Sequence, residues 1–168
     1  MNLALQLNRA RRSAFHRWVL NAGLNWSVPF NRPHGFRVVP LPTGGIRVEV
    51  PFQRANRNHL RGIHACCLAT AAELCSGLEL IGHLGPDRYR IIMRALHMDY
   101  HWQAKAGAHA EYMLEAARVK ALLLAPLEAN GVVVHEAVVE LRDDLGNHLA
   151  TGRITWQVKR WDEVRTKR

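Results

Sequence analysis

The chain has 168 residues, of which 48% are apolar and 22% are charged, and its formal net charge is +9. This composition is typical of one globular domain and excludes an intrinsically disordered or fibrous protein. No apolar run approaches the roughly 18 residues of a membrane-spanning helix, and the first residues carry arginines where a secretory signal needs its apolar stretch. We therefore expect a cytoplasmic protein without a membrane partner.

The positive charge predicts an affinity for polyanions, whether nucleic acid, anionic lipid or a phosphorylated small molecule. Aromatic residues that could stack on bases do not accompany the arginines in a recognisable motif, so we expect no nucleic-acid partner. The ten histidines are scattered without the spacing of a metal site, and we expect no metal. The three cysteines, Cys66, Cys67 and Cys75, suit neither a disulfide framework nor a zinc site and are predicted to be buried thiols.

The first third of the chain predicts a helix followed by a hairpin. Apolar residues recur at roughly helical spacing over residues 3–22, which predicts an amphipathic helix that ends at Gly23. The proline-containing stretch 24–35 is predicted to be a loop. Residues 36–52 predict two strands around a Pro-Thr-Gly-Gly turn, because the second half alternates apolar and charged residues. Residues 53–61 are too polar for the core and predict another loop.

The remainder predicts one buried helix and a run of strands. Residues 62–81 are apolar on nearly all sides, which is typical of a buried helix, and Glu73 is a carboxylate in the middle of that run. A short helix or irregular crossover, broken at Pro126, is predicted over residues 120–130. The predicted strands are 88–102, 108–116, 132–141 and 148–158, the last two joined by a hairpin turn at 143–147.

This order of elements predicts an α+β domain in which a curved antiparallel sheet wraps around the single apolar helix. We expect one domain over residues 1–168. It comprises an N-terminal helix over 1–23, a core over 36–160 and a charged tail over 161–168.

The most informative segment is the loop Asn58-His59-Leu60-Arg61-Gly62-Ile63-His64-Ala65, which leads into the helix that carries Glu73. One interpretation is structural. Asn58 and Gly62 then shape a turn, His64 caps the helix or lies in the core, and Glu73 pairs with a backbone group or a neighbouring subunit. The other interpretation makes the same residues a catalytic site.

The pattern resembles the hotdog-fold acyl-CoA thioesterases, in particular the branch related to phenylacetate-degradation thioesterases. That family has an asparagine, a glycine three to four residues later, a His-Gly-Gly step, and a catalytic carboxylate within the central helix. Asn58, Gly62 and His64 match in type and spacing, and Glu73 stands where the carboxylate is expected. The resemblance covers about residues 36–160.

Two departures from the family pattern stand out. Ala65 and Cys66 occupy positions where glycines are usual. The segment 98–107 is similar to a strand of the family, but Gln103-Ala104 replaces the usual Arg-Pro. The resemblance implies a hotdog fold, hydrolysis of a coenzyme A thioester without a further cofactor, and assembly as a homodimer or a dimer of dimers, that is, a homotetramer.

The residues themselves support this chemistry. Ala65 lies where the loop becomes the helix, so its free backbone N–H can stabilise an oxyanion. A carboxylate in apolar surroundings, such as that of Glu73, is suited to act as a base or nucleophile. The two residues are eight positions apart, roughly 12 Å along one helix, so they cannot reach the same carbonyl from one chain. Two antiparallel helices across a twofold axis would bring them together, which predicts a dimer.

The positive charges around the loop suit the phosphates of coenzyme A. Arg54, Arg57 and Arg61 flank the loop, Lys105 ends the later strand, and Gly62 is the glycine of the loop motif. These five are the predicted substrate-binding residues, although each charge taken alone is better explained as a solvated surface residue.

Two other functions stay open at this point. Hotdog dehydratases and hydratases, which act on (R)-hydroxyacyl thioesters, combine a loop histidine with a helical glutamate, and His59 and Glu73 have a suitable separation. Those enzymes surround the histidine with Gly-His-Phe-Pro-Gly, which this chain lacks. The second alternative is a protein that binds an acyl thioester without hydrolysing it.

Overall fold

A computed structural model describes residues 3–164 of the chain. Six strands form one antiparallel sheet in the order β1-β2-β4-β5-β6-β3. The strands are β1 (Arg37–Pro40), β2 (Ile46–Val50), β3 (Tyr89–Tyr100), β4 (Ala108–Tyr112), β5 (Val132–Asp143) and β6 (His148–Arg160). The α-helices are α1 (Leu3–Arg12), α2 (Ala14–Ser27), α3 (Ala65–Leu84), α4 (Ala116–Val119) and α5 (Ala125–Asn130). Short 3₁₀ segments occupy Pro29–His34, Arg54–Asn56 and Trp161–Glu163.

The sheet curves around α3, which contacts β2, β3, β4, β5 and β6. By length and composition α3 could cross a membrane, but over half of it is buried inside the protein, as expected of a core helix. Its sequence is apolar on nearly all sides because the sheet covers most of its circumference and α1 packs on part of the remainder. The predicted α+β architecture and the predicted buried helix are confirmed.

The N-terminal segment differs from the prediction of one helix ending at Gly23. It forms two helices that break at Ser13, and the second continues to Ser27. Ser13 has extended backbone angles, and its hydroxyl accepts a hydrogen bond from the His16 N–H at 3.4 Å. A serine in this position competes for backbone donors and starts a new helix.

The helix α2 closes the free edge of β1. The side chain of Asn21 accepts a hydrogen bond from the Val38 N–H at 2.7 Å and donates one to the Val38 carbonyl at 2.9 Å. One amide side chain thus takes the place of a neighbouring strand. This contact attaches α2 to the edge of the sheet, and α1, which packs on both α2 and α3, covers part of the side of α3 that the sheet leaves open.

Two local features differ from the predictions. The chain stays helical through Pro126, because a π-helical turn (Lys120–Leu124) precedes it and accommodates a residue without an N–H. Cys67 and Cys75 are buried, but Cys66 is exposed because it lies on the open side of α3. In the tail, the Trp161 indole donates to the Pro86 carbonyl at 2.8 Å, and the predicted tail residues 165–168 lie outside the described residues.

The Asn21 contact predicts a measurable loss of stability. Asn21→Ala should lower the free energy of unfolding by about 1–3 kcal/mol, because both backbone groups of Val38 lose their partner. Asn25→Ala is a matched control on the same helix, since the Asn25 side chain has no hydrogen bond with residues 3–164, and should change stability by less than about 0.5 kcal/mol. Chemical denaturation measures both values. Equal values for the two variants would contradict the role of Asn21.

Candidate active site

An apolar groove of about 710 Å³ runs along the open side of α3. Its walls are β3 on one side and the end of α2 with the following 3₁₀ segment on the other, and Trp156 lies at its floor. The Trp156 ring packs on Gly77, where an added Cβ would lie 2.9 Å from a ring carbon. From Cys66 to Ile81 the groove follows α3 for about 22 Å at 1.5 Å per residue. Below, it is called the α3 groove.

Glu73 is the acidic residue of the α3 groove. Its carboxylate makes no hydrogen bond or ion pair with any residue between 3 and 164. Burial among apolar side chains raises the pKa of this carboxyl, since desolvation penalises the charged form. A carboxylate that is neither paired nor fully solvated is suited to take up a proton or to attack an electrophile.

A second carboxylate on the same helix, which sequence reasoning left out, has the opposite environment. Glu79 is almost fully buried. It accepts a hydrogen bond from the Leu114 N–H at 3.2 Å, and the His83 ring nitrogen lies 3.1 Å from it. These partners give Glu79 a structural role. Of the two carboxylates on α3, Glu73 alone lacks partners within the described chain.

The loop before α3 is held by its own side chains. Asn58 Oδ1 accepts hydrogen bonds from the Leu60 N–H at 3.0 Å and the Gly62 N–H at 3.1 Å. Gly62 is buried against Gln103, and an added Cβ would lie 3.0 Å from a Gln103 side-chain carbon. The structure thus gives Asn58 and Gly62 turn-forming contacts. The Gln103-Ala104 segment, which departs from the family pattern, is the surface on which the loop packs.

The start of α3 has one unused donor. His64 caps the helix, because its Nδ1 accepts a hydrogen bond from the Cys66 N–H at 3.1 Å. The His64 N–H donates to the Asn56 carbonyl at 2.7 Å. The Ala65 N–H finds no acceptor among residues 3–164. It therefore remains available, at the positive end of the helix dipole, for an external oxygen.

Tyr100 is a residue of the site that sequence reasoning missed. Its hydroxyl donates to the Ala65 carbonyl at 2.9 Å, and its side chain lines the α3 groove. A β-bulge between Met93 and Ala95 reverses the alternation of β3, so that Leu96 and Tyr100 face the same side as Met93. In the sequence, apolar and polar residues of the segment 88–102 alternate irregularly, and this irregularity was the available signal.

The predicted basic residues surround the loop rather than the groove. Arg54, Arg57, Arg61 and Lys105 are exposed, and none of them forms an ion pair within residues 3–164. Arg57 lies over the Phe52 ring, 5.4 Å from its centroid. Arg61 adopts a left-handed backbone conformation with φ of 62° at the tip of the loop.

The predicted catalytic residues form two groups within one chain. Asn58, His64 and Ala65 lie together in the loop and the first turn of α3, whereas Glu73 lies two helical turns further along. His59, the histidine of the dehydratase alternative, is exposed on the loop and does not line the groove with Glu73.

Comparison with known proteins identifies the fold. A family model described as "Domain of unknown function (DUF4442)" matches residues 16–158. A protein from Pseudomonas aeruginosa described as "Probable Thioesterase" has 22% sequence identity and a TM-score of 0.76, over 83% of this chain and 93% of that chain. A thioesterase from Haemophilus influenzae has 12% identity and a TM-score of 0.69, over 94% of this chain and 99% of that chain. No curated protein matches the chain. At these identities the likeness concerns the fold, which is the hotdog fold of thioesterases.

The environment of Glu73 predicts how stability depends on pH. A carboxyl with a raised pKa in the folded state binds more protons than in the unfolded state, so the free energy of unfolding falls as pH rises through the window between the two pKa values. Glu73→Gln lacks this group. The melting temperature of Glu73→Gln minus that of the parent should therefore increase from acid to neutral pH. A difference between the two proteins that is independent of pH would contradict the desolvated environment.

Proposed function

Because the chain belongs to the DUF4442 family and shares its fold with thioesterases, we propose that it is an acyl-CoA thioesterase. The observation that carries this proposal is the unpartnered carboxylate of Glu73 in the apolar α3 groove. The groove suits an acyl chain, since apolar walls bind hydrocarbon through the release of water. A carboxylate beside the bound chain is placed to act on its thioester.

The reaction needs two groups at the thioester carbon. The Ala65 N–H would stabilise the negative charge that develops on the carbonyl oxygen. Glu73 would accept a proton from water as the water oxygen attacks the carbon, or it would attack the carbon itself. The carbon–sulfur bond then breaks, and the coenzyme A thiolate leaves and takes up a proton. On the route of direct attack, this step leaves an acyl–glutamate anhydride, which water hydrolyses to release the acid and restore Glu73. The pKa of Glu73, raised by burial, suits a base better than that of an exposed glutamate.

We propose that the complete site forms between two copies of the chain. The helix α3 holds both Ala65 and Glu73, so their separation of about 12 Å prevents them from meeting at one carbonyl within a chain. The outer edge of β3 has no partner strand among the described residues, and Ile92 on it is exposed. Such an edge favours pairing with a second copy. A homodimer, or a dimer of dimers, would place the Ala65 of one protomer beside the Glu73 of its partner.

The remaining residues have supporting roles in this proposal. Within the hotdog thioesterases, the order Asn58, Gly62, His64 and Glu73 favours the branch related to phenylacetate-degradation enzymes. Asn58 and His64 would hold the loop that presents the Ala65 N–H. The basic residues around that loop would bind the phosphates of coenzyme A. These are Arg54, Arg57, Arg61 and Lys105.

Replacement of Glu73 tests the proposal. Glu73→Gln keeps the size of the side chain and removes its charge, so it should lower kcat for acyl-CoA by roughly 10²-fold or more while the protein folds normally. Thiol release, measured over acyl chains of increasing length and over aryl esters, provides the rates.

The matched control is Glu136→Gln, which removes a carboxylate from the exposed face of β5 and should leave kcat unchanged. A Glu73→Gln variant that hydrolyses acyl-CoA as fast as the parent would show that the mechanism is wrong. If the parent itself releases no thiol from any ester but binds acyl-CoA, the protein is a binding module.

A further inference from the structure

The positive charge of the protein is concentrated at its N-terminal end. The first 48 residues contain seven arginines and no Asp or Glu, whereas the other 120 residues hold 16 Lys and Arg against 14 Asp and Glu. Four of the seven arginines lie on α1 and α2, whereas Arg37 and Arg47 pair with Glu49 and Glu111. The proposed thioesterase chemistry does not require this distribution.

The outer side of α2 carries exposed aromatic side chains. Phe15, Trp18 and Trp26 follow helical spacing and lie on one face, and they are 66%, 68% and 83% exposed. The rings of Phe15 and Trp18 stack with their centroids 6.2 Å apart. Three large aromatic residues on one solvent-facing helix side are unusual for a protein surface and mark an interaction site.

Three arginines of α1 surround one surface depression. Arg9, Arg11 and Arg12 line it together with Asn8, and none of the three arginines forms an ion pair with a residue between 3 and 164. Arg11 is held in place by hydrogen bonds to the Leu41 carbonyl at 3.2 Å and to Asn8 Oδ1 at 2.8 Å. Guanidinium groups without acidic partners are suited to bind phosphate.

The two features lie on neighbouring helices, since Ser13 alone separates α1 from α2 and the two helices pack on each other. We propose that together they form one surface that docks on an anionic phospholipid bilayer. The surface, here called the N-terminal face, consists of Arg9, Arg11, Arg12, Phe15, Trp18 and Trp26. Arginines bind lipid phosphates, and each cation near an anionic bilayer strengthens attachment. Tryptophan and phenylalanine insert their rings at the level of the headgroups. Helices with this combination lie in the plane of the membrane surface and need no spanning segment. The proposal therefore replaces the prediction of no membrane partner with attachment to the membrane surface.

The charge of the N-terminal face argues against a second copy as its occupant. In a twofold interface the same patch meets itself, so the unpaired arginines of α1 would lie opposite one another and repel. The outer edge of β3, which has no partner strand among residues 3–164, offers a copy of the chain a contact through backbone hydrogen bonds instead.

The N-terminal face also adjoins the α3 groove. Val28 and Phe30, which follow α2 directly, line the groove, and Phe30 is 67% exposed. Docking of the N-terminal face would bring this rim towards the lipid surface, where long-chain acyl compounds concentrate.

Vesicle flotation tests the proposal. The parent protein should float with mixed phosphatidylglycerol–phosphatidylcholine vesicles, bind far less to pure phosphatidylcholine vesicles, and dissociate as salt is added. Phe15→Ser/Trp18→Ser and Arg9→Gln/Arg12→Gln should each weaken binding to the anionic vesicles by about tenfold or more. The matched controls Leu145→Ser and Arg153→Gln remove an exposed apolar residue and an exposed charge elsewhere and should bind as the parent does.

Three results would overturn the proposal. They are a parent protein that does not float with anionic vesicles, equal binding to both kinds of vesicle, and double variants that bind as tightly as the controls. Light scattering without vesicles adds a fourth, because a loss of mass in Phe15→Ser/Trp18→Ser would assign the aromatic residues to contact between copies. Thermal melting of each variant verifies that it is folded.

Discussion

The packing of α3 against the concave side of the sheet is the contact on which the rest of the structure depends. An open sheet that curves around a helix covers most of its circumference and leaves one side uncovered. Here α1 covers that side only in part, and Asn21 fixes α2 beside it by bonding to the edge of β1. The α3 groove is the space that remains. The site therefore follows from incomplete coverage of a helix that is otherwise enclosed.

The two carboxylates of α3 have different roles: one is structural, and the other is the proposed catalytic group. Glu79 points to the enclosed side and is bonded to the Leu114 backbone and to His83. Glu73 points to the open side and has no such partners, and burial disfavours its charged form. Leaving a carboxylate in that state costs stability, a cost typical of residues kept for function. The start of the helix adds the free Ala65 N–H, but about 12 Å away from Glu73.

Much of the fold could be predicted from the sequence because local patterns determine it. Strict alternation in Ile46–Val50 and the α3 sequence, which is apolar on nearly all sides, indicated the strand and the core helix correctly. The remaining features depend on tertiary contacts, which local sequence patterns do not reveal. A serine within a helical pattern fits either a continuous helix or a cap, so the break at Ser13 could not be predicted. The partners of Glu79 and Asn21 lie 35 and 17 residues away, and the role of Tyr100 depends on a bulge in β3.

Mixing of two inactive variants tests the shared site most directly. Ala65→Pro removes the proposed oxyanion donor at a helix position that accepts proline, and His64 already has the extended conformation that a following proline requires, with ψ of 138°. Glu73→Gln removes the base. If the site combines Ala65 of one protomer with Glu73 of its partner, each variant alone should be inactive. Unfolding and refolding them together should restore about a quarter of the parental rate of thiol release, because half of the dimers are mixed and each mixed dimer has one intact site. A mixture as inactive as its components would contradict the shared site.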